Sequence, residues 1–115
     1  MNPLNLRIDL SSGARIGPGK VRLLELIAQT GSISAAGREM DMSYRRAWML
    51  VRELNETLGT AVVETRKGGT TGGGAELTRA GRQVIRCYRA LEKKAAAAGA
   101  EDIVALESLA KGEVR

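Results

Sequence analysis

The chain has 115 residues, enough for one hydrophobic core and too few for two. Hydrophobic residues make up 43% and charged residues 27%, the balance of a globular domain rather than a disordered or fibrous one. The net charge is +5, with the basic excess in the first hundred residues and a mildly acidic tail, so a polyanionic partner is expected.

With one Trp, two Tyr and no Phe, the core has to be built from Leu, Ile, Val, Met and Ala, which favours packed helices over a large sheet. No apolar run approaches the roughly 20 residues that span a bilayer, and no signal-like segment opens the chain. A cytoplasmic protein with no membrane partner is therefore expected. Cys87 is alone, so no internal disulfide forms, and without any His a Cys–His nucleophile is excluded. Cys87 is read as a small buried apolar residue on a helix. No metal site, cofactor or enzymatic activity is expected, since no nucleophile–base pair or pair of catalytic carboxylates is recognisable.

In chain order, Leu4-Asn5-Leu6-Arg7-Ile8-Asp9-Leu10 alternates apolar and polar residues, the pattern of a half-buried strand. Ser11-Ser12-Gly13 ends it, and Gly17-Pro18-Gly19 marks a second break. A helix follows, with Val21, Leu24, Ile27 and Ala28 at helical spacing and Leu23 and Leu26 widening the stripe, closed by Gly31. Ser32 caps a short second helix through Met40, and Asp41-Met42 forms a turn. Ser43 then caps a third helix to about Leu58, whose stripe is Ala47, Leu50, Val51, Leu54 and Leu58, with Gly59 as its C-terminal residue. The β-prone runs 61–65 and 75–77 flank a long basic, glycine-rich segment, the pattern of a hairpin with a flexible tip. Thr78 caps a long helix through Ala98, broken at Gly99. The fold class that results is mainly α with a small β-hairpin: a winged helix-turn-helix with an extra N-terminal strand and a long C-terminal helix. Residues 1–98 form the winged helix-turn-helix domain, including the helix 78–98, and 99–115 form a tail that Ile103, Val104, Leu106 and Leu109 allow to be helical.

Two helices crossing at a tight turn need small residues at the crossing and apolar ones inside the corner. Ala36 and Gly37 supply the first; Met40, Met42, Ala47 and Leu50 supply the second. An ordinary helical hairpin would also accept these residues. Against it stand Tyr44, Arg45, Arg46 and Arg52, which the third helix carries outside its apolar stripe, clustered toward the end that reaches base edges in this motif. Arg45 and Arg46 are candidates for bidentate contact with guanine O6 and N7, or for phosphate. Tyr44 suits a phosphate or a thymine methyl, and Arg52 a phosphate. Trp48 either touches DNA or completes the core, with partial burial preferred. Ser32, Ser34 and Ser43, at the starts of the second and third helices, join the DNA-contacting set. In the wing, Arg66, Lys67, Thr70 and Thr71 join it, where glycine lets backbone amides approach phosphates. The glycine-rich segment lacks the Lys and Ser/Thr of a nucleotide-binding loop.

The long helix outruns a core this small, so its far end needs another surface. Val84, Ile85, Tyr88 and Leu91 are the expected dimerisation residues of a homodimer, matching the symmetry of palindromic sites.

The segments Gly31-Ser32-Ile33-Ser34-Ala35-Ala36 and Met42-Ser43-Tyr44-Arg45-Arg46-Ala47-Trp48 resemble the N-terminal domain of the ModE family of molybdate-responsive transcriptional regulators. The resemblance continues through Gly68-Gly69, Gly72-Gly73-Gly74-Ala75, Leu77-Thr78 and Gly81, and spans about Gly13 to Leu91. The helix-turn-helix is also similar, more loosely, to that of LysR-type regulators. The resemblance implies a winged-helix dimer bound to double-stranded DNA, with a recognition helix starting at Ser43. In that family molybdate is read by C-terminal domains; this chain stops where they would begin, so a stand-alone regulator or one served by a separately encoded sensor protein is expected. The competing class is a winged-helix interaction module that does not touch DNA, which an uncharged or acidic third helix would have favoured.

Overall fold

The computed structural model describes residues 4–66 and 74–112. The chain opens with a small antiparallel ribbon, β1 (Ile8–Asp9) paired with β2 (Arg15–Ile16), Ile8 lying opposite Ile16. The expected strand over 4–10 is corrected here. Its alternation is real, since Leu4, Leu6 and Ile8 are half-buried and Asn5, Arg7 and Asp9 exposed, but only two residues find a partner strand. That partner, β2, lies between the two glycine breaks and is too short to show a period. Gly13, at φ +96°, makes the return, its N–H donating to the Leu10 carbonyl. Leu10 ends 40% exposed rather than buried.

Three helices follow: α1 (Pro18–Thr30), α2 (Ile33–Glu39) and α3 (Tyr44–Leu58). Pro18 starts α1, where its missing N–H costs nothing, and Gly31 at φ 69° ends it with its N–H on the Ile27 carbonyl. Ser32 and Ser43 cap α2 and α3, their hydroxyls accepting from the N–H groups of Ala35 and Arg46 at 3.0 Å each. Gly59, at φ 73°, closes α3. The wing strands are β3 (Val63–Arg66) and β4 (Gly74–Leu77), antiparallel, with Val63 opposite Leu77. Two hydrogen bonds place this hairpin. The Ala75 N–H donates to the Gly31 carbonyl at 2.9 Å, and the Val62 N–H to Asn55 Oδ1 at 2.8 Å, so the wing is tied to the ends of α1 and α3.

α4 (Arg79–Ala98) leaves the wing, capped by Thr78, whose hydroxyl accepts from the Gly81 N–H and donates to the Ala61 carbonyl. It crosses α1 and carries Tyr88 into the core, 1% exposed, among Val21, Leu23, Leu24, Ile27, Leu54 and Val62. The Tyr88 hydroxyl donates to the Leu6 carbonyl at 2.8 Å, which fastens the N-terminal segment; burial holds that phenol above its ordinary pKa, so it stays neutral. Arg89 grips Glu25 of α1 with two N–H groups, 2.8 and 3.1 Å, and Glu92 with a third. The hydrogen bonds from Arg89 hold the Glu25 carboxyl below its ordinary pKa against the opposing effect of burial. Gly99 ends α4 at φ −98°, and α5 (Ala100–Ala110) starts at once, the Ile103 N–H bonding the Gly99 carbonyl. The tail is thus helical, yet none of its side chains is buried.

Two features of this frame give expected outcomes. A β-carbon on Gly81 would run into the Val62 carbonyl, which is backbone held by the Thr78 N–H and cannot step aside. Gly81→Ala is expected to destabilise the domain by about 1–3 kcal/mol, read as a lower urea midpoint at unchanged m; an unchanged midpoint would refute the contact. For Glu25, a depressed folded-state pKa means stability is present above the ordinary carboxylate value and is lost as pH falls through the lower folded value. Arg89 is 37% exposed, so solvent screening limits the effect to about 1 kcal/mol. Glu25→Gln should therefore cost that much at pH 7 and little at pH 3, and equal losses at both would exclude the ion pair as the cause.

Candidate nucleic-acid interface

The corner between α2 and α3 is set by backbone as much as by side chains. At the end of α2 the Met42 N–H reaches back to the Gly37 carbonyl and the Asp41 N–H to the Arg38 carbonyl, a Schellman closure with Asp41 in the left-handed position at φ 55°. Asp tolerates that conformation better than most residues, because its short side chain can satisfy nearby backbone. Gly37 and Ala36 are buried, and a β-carbon on Gly37 would stand 3.1 Å from that of Ala47, so the two helices nearly touch.

With Ala47, Val51 and Leu54 turned inward, α3 leaves the opposite side to solvent. Tyr44 is 54% exposed, Met49 55% and Trp48 37%, and together with Arg45 and Arg52 they line a shallow depression. Arg45 makes no ion pair among the described residues, whereas Arg52 is held by Glu56 at 3.0 Å, one turn along. Trp48 is exposed and is not among the hydrophobic residues packed against the core, so it does not complete the core. Met49 is absent from the residues the sequence singled out. Its position one turn after Arg45 and outside the apolar stripe was the available signal. Arg46 lies about 100° around the helix from Arg45, and it faces a different hollow, with Leu50 and Glu53.

The remaining candidates fall in several places. The Ser32 and Ser43 hydroxyls are engaged in capping, and the Ser34 hydroxyl accepts from Arg38 at 3.1 Å. Arg66 is exposed at the described end of the wing, paired with Glu76 across the hairpin at 3.1 Å. Lys67, Thr70 and Thr71 lie outside the described residues. On α4, Val84 and Ile85 pack half-buried against the protomer's own core. Tyr88 is corrected as a dimerisation residue: buried and hydrogen-bonded within the protomer, it has no surface left for a partner. Leu91, 48% exposed, does, and so do Leu10 and Cys87 beside it. Cys87 is exposed rather than buried, because α4 turns it away from α1 into an apolar groove with Ile8, Leu58 and Val84. No helix among the described residues is long and apolar enough to cross a membrane.

A three-helix core with a helix-turn-helix corner, followed by a β-hairpin packed on it, defines a winged helix-turn-helix domain. The chain belongs to the lysR family of bacterial regulatory helix-turn-helix proteins, whose profile matches residues 19–82, more than half its length. That family consists of regulators, not enzymes. The chain is 49% identical over 81 residues to the molybdenum-pterin-binding protein MopB of Rhodobacter capsulatus, covering 70% of this chain and 30% of that protein. It is 37% identical over 83 residues to the DNA-binding transcriptional dual regulator ModE of Escherichia coli K12, covering 72% and 32%. With the transcriptional regulator ModE of Yersinia pestis it shares 37% over 107 residues, 90% of this chain and 41% of that one. The chain thus spans about a third of the length of these relatives. The fold matches the CbnR DNA-binding domain, solved in complex with DNA, with a TM-score of 0.58 and 22% identity over 76% of this chain and 95% of that one.

Proposed function

We propose that this chain is a sequence-specific double-stranded DNA-binding protein that regulates transcription, acts as a homodimer, and works in the cytoplasm. The observation that carries the proposal is the outward face of α3: Tyr44, Arg45, Trp48, Met49 and Arg52 around one depression at the N-terminal part of the helix, with Arg45 unpaired among the described residues. In a helix-turn-helix that part enters the major groove. Arg45 then supplies bidentate donors to guanine, and Tyr44 and Met49 supply apolar surface for a thymine methyl. Arg52 exchanges Glu56 for a phosphate, and Arg66 with Lys67, Thr70 and Thr71 of the wing follows the backbone or minor groove. Ser32 and Ser34 complete the proposed DNA-contacting set.

The homodimer is assigned to the far part of α4. Val84, Cys87 and Leu91 with Leu10 of the N-terminal ribbon line an apolar groove of about 320 Å³ that the protomer leaves open. The apolar side chains of α5, Val104, Leu106 and Leu109, are more than half exposed and offer a surface for a further protein partner such as a separately encoded sensor.

Binding of labelled duplexes tests the first claim. Wild-type protein is expected to prefer a promoter fragment over a random duplex, with affinity falling steeply as salt rises. Arg45→Ala should remove about 1–3 kcal/mol of that preference, and equal weakening on both duplexes would remove Arg45 from base reading. Absence of binding at low salt would refute DNA binding altogether. For the dimer, sedimentation of the wild type should give twice the chain mass and Leu91→Glu the single mass; a monomeric wild type at tens of micromolar would refute it.

A further inference from the structure

On the flank of α3 away from Arg45, the N-terminal ribbon and the start of α1 enclose a hollow of about 470 Å³. Its charged lining is Arg7, Arg15, Lys20 and Arg46 against a single carboxylate, Glu53. Lys20 is anchored there, its ammonium donating to the Arg15 carbonyl at 2.9 Å and to Glu53 at 3.0 Å, with only 15% of its side chain exposed. Arg7 pairs with Asp9 at the rim. Arg15 and Arg46 make no ion pair among the described residues, so two guanidinium groups face the hollow with their donors uncommitted. The site therefore has excess positive charge, a fixed ammonium that already holds one anionic oxygen, and Gly17 and Gly19 in its wall, which leave its mouth open.

We propose that this hollow is a second backbone site on DNA, taking a phosphodiester that flanks the base pairs facing α3, with Arg15 and Arg46 as its donors. The proposal rests on the DNA-binding function proposed for α3 and extends it: Arg46, Leu50 and Glu53 recur at one-turn spacing on the same helix that presents Arg45, so one duplex along α3 is flanked by both surfaces. A DNA backbone fits this chemistry because planar guanidinium forks match phosphate oxygens and because the site is open on one side, as a continuous strand requires. Arg46 becomes a phosphate ligand here rather than a reader of guanine. The N-terminal ribbon, which precedes the helix-turn-helix, becomes part of the DNA-facing surface through Arg15 and Arg7.

The test is the salt dependence of duplex binding by anisotropy, comparing wild type with Arg15→Ala and Arg15→Lys. Arg15 is exposed, and an unchanged urea midpoint verifies that the variants fold. Arg15→Ala is expected to lower the slope of log K against log salt by about one unit, the loss of one phosphate contact. It should weaken promoter and random duplexes by the same factor, and Arg15→Lys should recover most of the slope. A wild type that binds while Arg15→Ala keeps its slope and affinity would overturn the second site and leave α3 untouched. Loss of sequence preference in Arg15→Ala would overturn the phosphate role. A wild type that fails to bind would overturn both proposals together.

Discussion

Gly37 and Ala47 meet more closely than two ordinary side chains allow, and the exposure of α3 follows from that contact. A Gly37 β-carbon would stand 3.1 Å from that of Ala47, so a larger residue at either position requires its neighbour to give way. Because α2 and α3 approach so nearly, the turn between them has to be short, and Asp41 takes a left-handed conformation to close it. The apolar stripe of α3 is then pressed against α2 and α1, and the polar remainder of the helix faces outward.

The second constraint is α4, which binds the ends of the chain to the middle. Thr78 and Gly81 sit against the Val62 segment, Arg89 reaches α1, and the Tyr88 hydroxyl reaches Leu6, eighty-two residues earlier. These contacts satisfy polar groups that burial would otherwise leave costly. No buried side-chain nitrogen or oxygen lacks a partner among the described residues. Beyond Arg89 the helix leaves the body. The molecule is consequently long, 65 × 29 × 19 Å, and the apolar residues of its extended part remain uncovered.

Charge is distributed with the same economy. The cations of the α4 clamp and of the start of α1 are engaged: Arg89 by Glu25 and Glu92, Lys20 by Glu53. Those around the N-terminal half of α3 are not: Arg45, Arg46 and Arg15 make no ion pair among the described residues and stand on two flanks of one helix. Each hollow beside α3 thus holds an engaged cation, Lys20 on Glu53 or Arg52 on Glu56, next to guanidinium groups that make no ion pair among the described residues.

Local chemistry made most of the elements legible in the sequence. Ser32, Ser43 and Thr78 cap three helices and Gly31 and Gly59 close two, because capping and left-handed closure depend on one residue and its immediate neighbours. The small residues at the corner and the one-turn spacing of the α3 stripe are equally local, and with them came the helix-turn-helix and its outward arginines. Four things depended on contacts between distant segments and only the tertiary structure decided them. β2 is two residues long and exists because Ile8 lies opposite it. Tyr88 and Cys87 are one residue apart on α4, yet one is buried and the other exposed, since the angle at which α4 crosses α1 selects between faces that the sequence leaves nearly equal. Arg45 and Arg46 are adjacent in sequence but look onto different hollows. Finally, Arg7, Arg15 and Lys20 gather beside Arg46 only after the ribbon folds back over the start of α1. Spacing along a chain reports the face of a helix; it carries no record of what another segment brings to that face.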